Sequence, residues 1–223
     1  MPAANTAQAT PPSVPRPGHP LGAMLRNRPS MNKALLIKDI CELLLDNKRH
    51  ECFDLANDNY PFLHILPQKR QYSKYQMCKV FLRDGFLDRY SGDKLLFPGL
   101  IKILTIEFPD IFRYHRNWKM SDTHMIYWDL CPTVDHLIPI ARGGQDNENN
   151  WITTSMIHNS AKSNWTIEEI GWTLHDKGHL DNWDGLVHYF MDLTNMNPDY
   201  EKDKYICDWK KALIKAFNDI ENT

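Results

Sequence analysis

Apolar positions fall into helical stripes along most of this chain, broken by one short strand-like stretch past the middle. Within residues 31–47 ("MNKALLIKDICELLLDN"), Leu35, Leu36, Ile40, Leu43 and Leu44 share one face and predict a helix. A loop holding Pro61 and Pro67 follows. Residues 73–86 predict a second helix that ends at Gly85, and residues 97–108 a third that starts at Pro98. Residues 112–130 mix aromatics with bases without a clean period and read as loop with short helical pieces. Residues 133–138 suit a short strand, 139–149 a long loop bending at Gly143-Gly144, and Trp151 to Thr154 the returning strand. Residues 155–164 then predict a helix, and Thr166 with Glu169 forms a capping-box pattern that opens another. Ile206, Trp209, Leu213, Phe217 and Ile220 mark the apolar stripe of a last helix. The class expected is α+β, a mostly helical domain with one small β-hairpin.

The first thirty residues hold seven of the fourteen prolines and almost no large apolar side chains. Such a segment cannot bury enough surface to offset its ordering entropy, so 1–30 is expected to be a disordered, Pro-rich leader. The chain as a whole, 42% hydrophobic and 24% charged, has the composition of a globular protein. No run approaches the roughly eighteen apolar residues of a membrane span, and no basic-then-apolar start suggests a secretory signal. Five cysteines, none in a C-x-x-C pair, point to reduced thiols in a cytoplasmic setting. Net charge is −2, but it is unevenly spread: residues from Glu168 onward carry −6 and the preceding 167 carry +4. A weakly basic body with an acidic end is compatible with a polyanion on one face.

Chemistry concentrates between residues 135 and 162. Strand, loop, strand and helix bring Asp135 and Asn159 toward each other. A carboxylate and an amide oxygen are the hard donors that Mg²⁺ prefers, with water and phosphate filling its remaining positions. A histidine suits removal of a proton from water in line with a phosphorus, and His136 is the candidate. An amide bonded to one ring nitrogen would fix which nitrogen is free to act.

The pattern D-H-x-x-P-x-x-x-G-G-x(5)-N-x(8)-N-x-x-K is filled by Asp135, His136, Pro139, Gly143, Gly144, Asn150, Asn159 and Lys162. It resembles the motif of HNH endonucleases, whose ββα-metal fold occurs in nicking homing endonucleases, restriction enzymes and RNA-guided nucleases. The motif covers about an eighth of the chain. The resemblance implies Mg²⁺, with Mn²⁺ able to substitute, held by Asp135 and Asn159, with His136 as general base and Asn150 orienting it. His158 is a further candidate as metal ligand or supporting group, and Lys162 and Arg142 as nucleic-acid contacts. The implied reaction is phosphodiester hydrolysis of duplex DNA leaving a 5′-phosphate and a 3′-hydroxyl. A homodimer is one route to a double-strand break, and no membrane partner is expected. Rival readings are a catalytically silent HNH-fold protein that binds nucleic acid, and an RNA-cleaving or toxin-type HNH nuclease.

Upstream, residues 82–95 ("LRDGFLDRYSGDKL") resemble the R-D-G-x-C-x-x-C-G opening of HNH proteins that carry a structural zinc. Asp88 and Ser91 stand where those cysteines would be, and the second pair would fall at Ser155 and His158. No structural zinc is therefore expected, with polar contacts such as Asp88 to His158 in its stead. The organisation expected is leader 1–30, helical region 31–130, HNH core 131–165 and a C-terminal helical region 166–223 packed on that core. Lys69, Arg70, Lys74, Lys79 and Arg83 read either as a backbone-binding face or as an ordinary exposed helix face. Asn147 and Asn149 read as loop residues, and Tyr114, Arg116, Trp118 and Lys119 as a packed aromatic loop with charge at its edge.

Overall fold

The computed structural model describes residues 32–62 and 72–221. The leader, Pro67, Lys69 and Arg70 lie outside the described residues. The chain divides into two compact units, Met1–His64 and Ile65–Thr223.

In the first unit, α1 (Lys33–Leu45) is capped by Asn32, whose side chain accepts from the Ala34 amide. Asn47 closes this helix in a left-handed conformation (φ 62°), while the amides of Asn47 and Lys48 reach back to the carbonyls of Leu44 and Leu43. A second helix, α2 (Arg49–Asn59), follows where a loop was expected. Its sequence, RHECFDLANDN, buries only Cys52, so it carries no stripe for periodicity to detect. Of the α1 stripe, Leu36 is buried, Ile40 and Leu43 are half-buried, and Leu35 and Leu44 are exposed.

The second unit places a β-hairpin against a helical core. The helix α3 (Lys74–Arg83) starts at a full capping box made by Ser73 and Gln76, and α4 (Pro98–Glu107) starts at Pro98. A single short turn, α5 (Ile126–Asp129), interrupts the aromatic segment. The strands β1 (Pro132–His136) and β2 (Trp151–Ser155) pair antiparallel, with Asp135 opposite Ile152 and His136 opposite Trp151. The helix α6 (Met156–Lys162) follows β2 directly, capped by the Ser155 hydroxyl, and packs on both strands. Two further helices, α7 (Val187–Met196) and α8 (Lys204–Glu221), complete the unit.

Phe81, Phe86, Phe97, Phe190, Trp209 and Leu213 form the main core, which Val134 and Trp151 of the hairpin join. A smaller apolar cluster of Ile101, Ile126, Tyr127 and Cys131 draws in Trp118 and Met156, so the aromatic segment packs beside α6. Tyr114 lies edge-on to Trp118 (6.0 Å), which leaves Arg116 and Lys119 exposed at the edge. Burial pushes the Cys78 and Cys131 thiols up to about 12, and all five cysteines are unpaired.

Two expectations need correction. The capping box at Thr166 forms, with the Thr166 amide donating to Glu169 (3.0 Å), but it closes only turns that stop at Gly171 (φ 70°). Conversely, α7 forms inside the expected C-terminal helical region where the sequence marks no individual helix: Asp184 accepts the Leu186 and His188 amides, and Val187, Phe190 and Thr194 are buried at helical spacing.

Candidate functional site

Two carboxylates from the segment after α3 grip the hairpin. Asp84, fully buried, accepts the Thr153 amide (2.8 Å), Arg83 through Nε (2.9 Å) and Arg89 through Nη1 (3.3 Å). Asp88, also fully buried, accepts the Ser155 amide (2.8 Å) and the Thr154 hydroxyl (3.0 Å), and it meets His158 Nδ1 at 2.7 Å. Asp88 and His158 thus stand in direct contact between the turn at 88–93 and α6, two of the positions that the sequence pattern sets against zinc-ligand places. Ser155, the third such position, bonds His158 as well (3.0 Å). The His158 imidazole lies edge-on to Trp172, with centroids 5.6 Å apart, and is held as part of this brace.

Burial alone would raise the Asp88 carboxyl. Hydrogen bonds from His158, Ser155 and Tyr90 outweigh it and hold the group below its ordinary value of 3.8. A depressed carboxyl stabilises the fold fully above its unfolded pKa, and that contribution is lost as pH falls through the folded value. The stability gap between the parent and Asp88→Asn is therefore expected to narrow as pH drops from about 6 to about 2 in thermal unfolding. A gap that stays constant over that range would contradict the assignment.

The hairpin and α6 enclose a cleft of about 260 Å³ lined by Asp135, His136 and Asn159, with Ser160 and Asn164 at its far side. The structure therefore brings together three of the sequence-derived residues. Asp135 accepts the Tyr90 hydroxyl (2.6 Å) and the Lys162 ammonium (2.9 Å), both on Oδ2. Burial, the Asp135 charge and this hydrogen bond push the Tyr90 phenol well above its usual range, so it remains a donor at working pH. Oδ1 of Asp135 has no hydrogen-bond partner among the described residues. The Asn159 amide nitrogen donates to the Val134 carbonyl at 3.4 Å, leaving its oxygen likewise open.

The partners of His136 differ from those expected. Its Nε2 lies 2.8 Å from Asp146 Oδ1, and the Trp151 indole N–H sits 2.9 Å from the same oxygen and 3.0 Å from Nε2. Every donor finds an acceptor when the carboxylate takes both N–H groups, which puts the imidazole proton on Nε2 and the lone pair on Nδ1. Asn150 does not touch the imidazole. It pins the loop instead, accepting the Ile138 amide and donating to the carbonyls of Ile138 and Gln145, each at 2.8 Å. The orienting group is thus a carboxylate ten residues past the histidine, inside the run "GGQDNENN" where only the asparagines stood out.

Gly143 adopts φ 84°, as a turn residue should, whereas Gly144 matters for space. A Cβ there would lie 1.8 Å from the Ile138 carbonyl oxygen and 2.9 Å from Asn150 Nδ2. Gly144→Ala is expected to cost about 1–3 kcal/mol in denaturant unfolding, because the loop must move off Ile138. Unchanged stability would show that the backbones are not so close.

The two sequence-derived phosphate contacts differ in depth, and the one at Lys162 requires correction. Lys162 is fully buried, and its ammonium is spent on Asp135 and on the His136 carbonyl (2.8 Å), so it does not present charge to a polymer. Its position on α6 was legible; its depth was not. Arg142 pairs with Glu169 (3.3 Å) and the Asn164 carbonyl (3.2 Å) on the cleft rim. Lys74 pairs with Asp208, Lys79 with Glu148 and Arg83 with Asp84, so these three bases are engaged within the unit.

The open carboxylate oxygen of Asp135 and the open amide oxygen of Asn159 are hard donors of the type a divalent ion takes beside water. Among the described residues no three His, Cys, Asp or Glu side chains converge as a ligand group. Comparison with protein-family models, with curated proteins and with solved structures returned no match.

Proposed function

We propose that this chain is a metal-dependent endonuclease of the HNH kind that hydrolyses phosphodiester bonds, with duplex DNA as its substrate. The observation that carries the reading is one cleft lined by Asp135, His136 and Asn159, with the imidazole tied at Nε2 and no hydrogen bond to Nδ1 among the described residues. In this scheme Nδ1 of His136 takes a proton from water as its oxygen bonds to phosphorus. Asp146 stabilises the imidazolium that results. The bond from phosphorus to the 3′-oxygen breaks, giving a 5′-phosphate and, after protonation from solvent, a 3′-hydroxyl. Asp135 and Asn159 would hold Mg²⁺ or Mn²⁺, which supplies charge stabilisation at the phosphate and the departing oxygen.

The direct test is nicking of a supercoiled plasmid with Mg²⁺, with and without EDTA, beside single-stranded DNA and structured RNA. Mg²⁺-dependent nicking of the plasmid is expected, and Asn159→Ala is expected to abolish it while thermal unfolding stays near that of the parent. Preferred cleavage of RNA would move the substrate assignment, and full activity in Asn159→Ala would sink the metal assignment. One observation favours a silent nucleic-acid-binding protein: the ammonium of Lys162 already neutralises Asp135. DNA binding without any nicking would establish that alternative. No helix among the described residues is long and apolar enough to cross a membrane.

A further inference from the structure

The buried Lys162 ammonium beside Asp135 is the feature of the cleft that its proposed chemistry leaves unexplained. Asn159 and Lys162 lie three residues apart on α6, so both face β1. Lys162 Nζ makes two polar contacts, to Asp135 Oδ2 (2.9 Å) and the His136 carbonyl (2.8 Å), and it lies 5.8 Å from the centre of the Tyr90 ring. Moving it out would strand a buried charge on each side, so the pair is a fixed part of the site. Resting on the nuclease reading, we infer that Lys162 is a built-in counter-cation of the metal-binding carboxylate, so that the cleft binds a divalent cation weakly alone and more tightly together with a phosphodiester.

The charges around the cleft carry the argument. Asp135 is the sole acid among the lining residues, and its charge is cancelled by Lys162. Asn159, Ser160, Ser163 and Asn164 are neutral. Asp146 spends its contact on the far nitrogen of the imidazole and on the Trp151 indole. A dication entering alone would meet one open carboxylate oxygen and a neighbouring ammonium that repels it at short range and in low dielectric. A phosphodiester supplies the missing negative charge and a further hard oxygen. Metal and polymer then raise each other's affinity by the same factor, because coupling between two ligands is reciprocal.

The test reads Mn²⁺ binding by electron paramagnetic resonance on the full chain, in a His136→Ala background so that nothing is cut. A short DNA duplex is expected to tighten Mn²⁺ by about tenfold or more. Lys162→Met is expected to tighten Mn²⁺ by about tenfold without DNA, and to shrink the effect of adding DNA. Asp135→Asn should remove the bound signal in every case, which identifies the site. Equal Mn²⁺ affinity with and without duplex, or no tightening in Lys162→Met, overturns the inference while plasmid nicking by the parent leaves the nuclease reading standing. Mn²⁺ binding that ignores Asp135→Asn, in a chain that does not nick, overturns both. Should Lys162→Met not fold, Lys162→Gln keeps a donor for the His136 carbonyl without the charge, and the duplex effect in the Lys162 parent needs no change at that position.

Discussion

His136→Ala is expected to lower Mg²⁺-dependent plasmid nicking by between about a hundredfold and ten-thousandfold, the span that a positioned general base contributes. The cause is specific: no other imidazole is among the residues lining the cleft. Because His136 is almost fully buried, alanine also leaves a gap, and a loss of activity alone could reflect a disturbed loop. Added imidazole separates the two causes, since a small base entering the gap restores proton removal but does not rebuild packing. Partial recovery with imidazole is therefore expected in His136→Ala and not in Asn159→Ala. A companion change, Asp146→Asn, keeps the volume and removes the charge opposite Nε2; a loss of about ten- to a hundredfold is expected, as for groups that orient a reacting side chain. Nicking by His136→Ala within about threefold of the parent would remove the base from the scheme.

Asp84→Ala is expected to produce the largest loss of stability, about 3–5 kcal/mol in urea unfolding, as for the breaking of a buried ion pair from one side. The carboxylate is fully buried and shared by Arg83, Arg89 and the Thr153 amide. Without it the Arg89 guanidinium, only 8% exposed, keeps the His175 carbonyl but loses its counter-charge, and a buried strand amide loses its acceptor. Asp84→Asn retains an oxygen for Thr153 and should lose less. A loss below about 1 kcal/mol in Asp84→Ala would mean that the grip on β2 is incidental.

The sequence made legible those features that rest on spacing, and hid those that rest on depth. Asp135 and Asn159 reach one cleft because a hairpin followed at once by a helix leaves them little choice, and the contact of Asp88 with His158 was readable from missing cysteines. Asp146 was not readable, since its offset from His136 is set by an irregular loop pinned through Asn150 and Gly144. The role of Lys162 was hidden for a related reason. Periodicity assigns a helix face, but a lysine at the end of a helix gives no sign that a tyrosine and a carboxylate will cover it. The capping box at Thr166 shows the reverse failure, a correct local signal that no following apolar face extended.

The two carboxylates that grip β2 also bear on how faithfully the hairpin forms. A two-stranded sheet offers little to fix its own alignment, and a slip by one residue would turn every side chain to the opposite face. Asp84 and Asp88 together engage three successive positions, the Thr153 amide, the Thr154 hydroxyl and the Ser155 amide. A shifted β2 would present both buried charges with the wrong groups. Misaligned hairpins are thus penalised during folding itself, and the same two aspartates act as proofreaders of the strand that pairs with His136.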